Sequence, residues 1–122
     1  MNRQASLEIE EVSPQELWVA GELDRTTAGR FDEAVQTVIV GAGPLVLDLS
    51  RVRLLDSSGV RSLVKLGLSM RGRRLVLREP SSPVMRVLQM TRLDEVGLWR
   101  IEQAAPSITW PAGQASDVRP RR

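Results

Sequence analysis

Leu45-Val46-Leu47-Asp48-Leu49, followed by Asp56-Ser57-Ser58-Gly59 and then by Val60, Leu63, Val64 and Leu68, is the stretch that decides the fold. Its first segment is a nearly continuous apolar run, the composition of a strand buried on both faces and central in a sheet. The last four apolar residues recur at helical spacing, with a stop near Gly72. Between them lie a carboxylate and two adjacent hydroxyls at a strand-to-helix turn. A helix opening at a serine has backbone N–H groups without intrahelical partners, together with the positive end of the macrodipole. Serine is a favoured N-cap there, and a phosphate attached at the same point is favoured by the same groups. The motif alone leaves both readings open.

Working outward, Leu7 to Val12 and Leu17 to Ala20 form short strands of a hairpin, separated by the turn-like Ser13-Pro14-Gln15. From Thr26 or Thr27 the period changes. Phe31, Ala34 or Val35, and Val38 mark a first helix that Gly41-Ala42-Gly43-Pro44 ends. Arg74 to Arg78 reads as another strand, and Ser82-Pro83 as the N-cap and first residue of a third helix carrying Val84, Val87, Leu88 and Met90. Trp99 to Glu102 supplies a last short strand. Strands alternating with helices predict an α/β fold, a single domain over residues 1–105 with a mixed sheet of about four to five strands. The Pro- and Arg-containing stretch 106–122 is expected to be a flexible tail, with Ile108 and Trp110 able to pack back on the body.

Composition narrows the chemistry. The chain has 122 residues, a formal net charge of +2, and neither histidine nor cysteine. One compact domain suits this length. The segment Pro111 to Arg122 supplies the whole excess charge, through Arg119, Arg121 and Arg122 against Asp117, so the body is close to neutral. A direct nucleic-acid role is therefore not expected: Arg71, Arg73 and Arg74 are the only dense basic cluster in the body, read as a solvated helix end, and Phe31, Trp18, Trp99 and Trp110 offer no stacking platform. Without cysteine there are no disulfides and no thiolate metal sites. Without histidine the commonest general base and the usual triads are lost. No acidic loop of EF-hand type and no membrane-spanning stretch is present, so no metal, no cofactor and a cytoplasmic location are expected.

Gly21-Glu22-Leu23-Asp24, Leu45-Val46-Leu47-Asp48-Leu49-Ser50 and Leu55-Asp56-Ser57-Ser58-Gly59-Val60, in this order and spacing, resemble the STAS domain of anti-sigma factor antagonists, over roughly Leu7 to Glu102. The resemblance implies a small sheet with helices mainly on one face and a partner-switching role. The unphosphorylated antagonist would bind an anti-sigma factor that is also a serine kinase, phosphorylation would release it, and a serine phosphatase would reset it. It implies Ser58 as the phosphoacceptor, Ser57 as neighbour and secondary site, and a partner-binding set of Asp24, Asp56, Ser57, Ser58 and Gly59. The expected oligomeric state is a monomer or weak dimer. One departure stands out: the family has a small residue and glycine after a methionine that follows the third helix, whereas this chain has Met90-Thr91-Arg92-Leu93-Asp94. Pro106 and Pro111 also argue against the family's usual C-terminal helix.

Each of these residues has a structural reading beside the functional one. Asp24 precedes the first helix and suits a cap; Asp48 suits a structural or loop-forming role at the end of a strand; Gly59 suits an unusual backbone angle or a close approach; Gly21 suits a bulge. Three other functions compare with this one on the residues present. A receiver domain would need an early acidic pair and a late lysine beside Asp48, but the only lysine is Lys65, in the second helix. A hydrolase would need a base for Ser57 or Ser58. A STAS scaffold or subunit of a stressosome-like or membrane lipid-transport complex would keep the fold and change the partner.

Overall fold

The computed structural model describes residues 6–70 and 72–103. Five strands and three helices follow one another as β1 (Leu7–Ser13), β2 (Glu16–Leu23), α1 (Ala28–Ile39), β3 (Leu45–Leu55), α2 (Ser57–Ser69), β4 (Leu75–Arg78), α3 (Ser82–Thr91) and β5 (Arg100–Glu102). The strands lie in sequence order in one mixed sheet. β1 and β2 form the expected antiparallel hairpin, while β2, β3, β4 and β5 are mutually parallel, each joined to the next through a helix.

Among the described residues, the helices cover one face of the sheet. Leu7, Leu17, Val19, Leu23, Leu45, Leu47, Leu49 and Leu55 share a core with Phe31, Val35 and Val38 of α1, Leu63 and Leu66 of α2, and Val84 and Leu88 of α3. On the other face Trp18 and Ser50 are exposed and Val46 and Asp48 half-buried. The expectation that β3 is buried on both faces is thus corrected: it is central, but its period-two burial is that of a strand with helices on one side only. β3 also runs past Leu49 to Leu55, longer than its apolar run suggests. Two irregularities in its pairing with β2, between Trp18 and Ala20 and between Gly21 and Glu22, each give β3 one extra residue. Gly21 lies at the second, with φ +108° and no room for a side chain against the Ser6 carbonyl.

Other local expectations change in detail. Leu68 and Met90, predicted on buried helix faces, are 71% and 77% exposed; the inward positions go to Leu66 and Leu88. Ser82 is the first residue of α3, not its cap. Ser81 precedes it in extended backbone, and its hydroxyl donates to the Val52 carbonyl instead of to the helix. Arg73 is not a solvated helix end. Its guanidinium donates to the carbonyls of Val38 (2.6 Å) and Ile39 (3.0 Å), giving the last turn of α1 the cationic partner that its C-terminal carbonyls and dipole favour. Arg71 and the stretch 106–122, with Ile108 and Trp110, lie outside the described residues. No described helix is long and apolar enough to cross a membrane.

Candidate functional site

The C-terminal ends of β2 and β3, paired as Glu22 with Leu54 and Leu23 with Leu55, deliver Asp24 and Asp56 side by side. The Asp56 amide donates to the Leu23 carbonyl at 3.3 Å, and the Arg25 amide donates to Asp56 Oδ2 at 3.2 Å. The loop entering α1 and the loop entering α2 are therefore stitched together. Asp24, Arg25, Thr26, Asp56, Ser57 and Ser58 line one shallow depression.

Asp56, not a serine, caps α2. Its extended backbone (φ −107°, ψ −172°) ends the strand, and its Oδ1 accepts the Gly59 amide at 3.0 Å. The expectation that the helix opens on a serine cap is corrected by this bond. Ser57 and Ser58 are the first and second residues of the helix, and their amides belong to the turn that has no intrahelical acceptors. Ser57 is exposed and Ser58 half-buried. Gly59 is buried because the first turn of α2 rests on the end of β2: a side chain there would strike the Leu23 carbonyl and the Leu55 side chain. Of the structural readings of Gly59, close approach is the one that applies.

Asp24 organises the other loop. Its Oδ1 accepts the Thr26 hydroxyl (2.8 Å), the Thr26 amide (2.9 Å) and the Thr27 amide (3.2 Å). The Thr26 hydroxyl foremost, with these amides, holds the Asp24 carboxyl below its ordinary range, so it is ionised at neutral pH. The N-cap position of α1 is Thr27, whose buried hydroxyl donates to the Glu22 carbonyl at 2.7 Å instead of capping the helix. Glu22 is likewise held low, first by the Ser6 amide and then by Arg53, its ion-pair partner.

The five residues of the expected partner-binding set, Asp24, Asp56, Ser57, Ser58 and Gly59, thus meet at the C-terminal ends of β2 and β3. Asp48 does not join them. It lies within β3, where its Oδ1 accepts the Ser50 amide (2.9 Å) and hydroxyl (2.6 Å) beside the first irregularity, a structural role. Sequence reasoning missed Thr27 and the Arg25 amide. The Asp24-Arg25-Thr26-Thr27 run carries a signal for the first, since hydroxyl residues just after an aspartate favour local side-chain turns. The Arg25 contact depends on tertiary pairing. Among the described residues no group of three or more carboxylates comes together to hold a metal ion.

The arrangement can present one exposed and one half-buried hydroxyl at a helix N-terminus, flanked by carboxylates that are themselves held in hydrogen bonds. Comparison with known proteins identifies the family and the fold. The family model described as "Mlab, STAS domain" matches residues 7–101. The anti-sigma-B factor antagonist of Listeria monocytogenes is 33% identical over 96 residues, which cover 75% of this chain and 84% of that protein. The anti-sigma factor antagonist SpoIIAA in its unphosphorylated form has a similar fold, with a TM-score of 0.64 at 22% identity over 84% of this chain and 91% of that one. The Bacillus cell fate determinant SpoIIAA in its phosphorylated form gives 0.60 at 21%, over 84% and 95%.

Proposed function

The chain belongs to the STAS domain family, and from that membership we propose that it is an anti-sigma factor antagonist working by partner switching. In the unphosphorylated state it binds an anti-sigma factor that is also a serine kinase; phosphorylation of Ser58 releases it, and a serine phosphatase restores it. Ser57 is the secondary acceptor, and Asp24, Asp56, Ser57, Ser58 and Gly59 contribute to the partner surface. The chain is a cytoplasmic binding protein and a substrate, not itself an enzyme. The observation that supports this reading best is the joining of the Asp24 loop to the first turn of α2 in one depression with both serines.

Physical chemistry explains how such a site would switch. A phosphoserine adds about −1.5 to −2 charges at neutral pH. The first-turn amides and the helix dipole accept that charge, while the ionised Asp24 and the neighbouring Asp56 oppose it. A partner surface matched to a hydroxyl between two carboxylates meets added bulk and excess negative charge, so binding is lost without rearrangement of the fold. The switch is local in this reading.

The test is incubation of the full chain with anti-sigma factor serine kinases and ATP, then mass mapping and pull-down. Phosphate on Ser58, weaker kinase binding by Ser58→Asp, and retained binding without phosphorylation by Ser58→Ala are expected. The "Mlab" description of the matching family model favours one other reading, a STAS subunit of a membrane lipid-transport complex. Stable assembly with such a complex, indifferent to both Ser58 variants, would establish it instead.

A further inference from the structure

The uncovered face of the sheet holds a groove of about 320 Å³ lined by Glu8, Glu10, Trp18, Asp48, Ser50 and Arg51. Trp18 is 41% exposed, and Arg51 lies over its ring at 5.9 Å. Elsewhere on this face the carboxylates are neutralised: Glu16 and Glu102 by Arg78, and Glu22 by Arg53. Glu8, Glu10 and Asp48 have no ion-pair partner among the described residues. Against the single Arg51, the groove is an acidic, aromatic-floored slot.

The register places this slot in line with the exit of the chain. Glu10 pairs with Trp18, Trp18 with Asp48, Asp48 with Arg78 and Arg78 with Glu102, a row crossing all five strands. With ~4.8 Å between strands, the row is about 19 Å long. The chain leaves β5 at Glu102, at one end of the row, and the basic cluster begins at Arg119, seventeen residues later. A spacer of that length has a root-mean-square reach of about 23 Å as a coil and far more when extended.

We propose that the basic segment Arg119–Arg122 docks in cis on this groove, with Arg119, Arg121 and Arg122 against Glu8, Glu10 and Asp48 beside Trp18. The charges are complementary, since Pro111 to Arg122 carries the whole net +2 of the protein. Tethering presents the segment at an effective concentration of the millimolar order, so pairs that are individually weak suffice for occupancy. Guanidinium groups also suit the remaining exposed indole edge and face. The tail is thus an intramolecular ligand of the sheet face opposite the helices, and its contact is salt-sensitive because the pairs are exposed.

The absence of cysteine makes a direct test clean: Ser116→Cys in the full chain carries one nitroxide label, and paramagnetic broadening is read on the backbone amides and the Trp18 indole. At low salt, Glu8, Glu10, Trp18 and Asp48 are expected to lose at least roughly half their signal, with recovery near 1 M salt, where the screening length is ~3 Å. The same recovery is expected in the Arg119→Gln, Arg121→Gln, Arg122→Gln background. Broadening confined to residues beside Glu102, spread over both faces, or unchanged in the triple variant would overturn the proposal. So would broadening transferred from a labelled chain to an unlabelled, isotope-enriched one, which identifies a second copy as the occupant.

Discussion

The carbonyl of Leu23, the last residue of β2, occupies the space that a side chain on Gly59 would need, and it also accepts the Asp56 amide at 3.3 Å. One backbone atom therefore fixes both the end of β3 and the height at which α2 starts. The two loops of the candidate site are held in register by this contact, independent of anything that binds there.

Gly59→Ala is expected to destabilise the protein by about 1–3 kcal/mol, because the obstacle is backbone and cannot rotate away. Gly29→Ala, in the first turn of α1 where a Cβ meets nothing within 4 Å, should instead stabilise by up to about 1 kcal/mol. Urea-denaturation midpoints of the two variants measure the contrast. Equal shifts of the same sign would count against the close approach at Gly59.

Asp56→Ala removes the cap of α2 and the acceptor of the Arg25 amide together. A loss of about 1–2 kcal/mol is expected, with Asp56→Asn recovering most of it because the amide oxygen can still accept. Chemical denaturation reads the stability. Amide hydrogen exchange at Arg25 and Gly59 should rise in the alanine variant and not in the asparagine one; unaltered exchange at both positions would show that neither bond protects its amide.

The Asp24 and Glu22 carboxyls are held below their ordinary ranges, Asp24 chiefly by the Thr26 hydroxyl and Glu22 chiefly by the Ser6 amide. A depressed folded-state pKa means that the unfolded chain takes up protons first on acidification. Their contribution to stability is then complete above about pH 4 to 5 and is lost as pH falls through the folded values. Denaturation midpoints between neutral pH and about pH 3 should fall on the acid side, and less steeply in Asp24→Asn, which cannot titrate. Matching slopes for the two proteins would contradict the Asp24 assignment.

Arg92 ends α3 in the left-handed region, with φ +56°, which favours glycine. Arg92→Gly relieves a penalty of roughly 1 kcal/mol, set against the added freedom of the unfolded chain and the loss of an exposed ion pair to Glu95. A net gain of up to about 0.5 kcal/mol is expected in thermal or urea unfolding. A lower midpoint would mean that the freedom of the unfolded chain and the Glu95 pair together outweigh the strain.

Much of this architecture is legible locally. The apolar period that changes at Thr26 and Thr27, the Gly41-Ala42-Gly43-Pro44 stop and the switch of period around Asp56 mark elements that form as expected. Asp56-Ser57-Ser58-Gly59 stands out by turn and cap chemistry, which is written in short runs of residue types, whereas Gly21-Glu22-Leu23-Asp24 is joined to it by the family resemblance.

Other features are invisible in a linear reading because they depend on which backbone atoms happen to be neighbours. Burial on one face of β3 follows from all three helices lying on the same side of the sheet, a fact that a continuous apolar run cannot express. Arg73 finds the carbonyls of α1 across more than thirty residues of chain, and Arg25 finds Asp56 over a similar separation. The order of elements follows from the sequence alone, since local propensity, side-chain period and turn chemistry act within a few residues, while the grouping of the candidate site residues follows from the family resemblance. Only the tertiary structure decided that Asp56 is the cap, that both serines lie in the first turn of the helix, and that Gly59 is required by the Leu23 carbonyl. The last of these is set by the pairing of β2 with β3, which brings together the Leu23 carbonyl and Gly59, atoms that no short stretch of sequence relates.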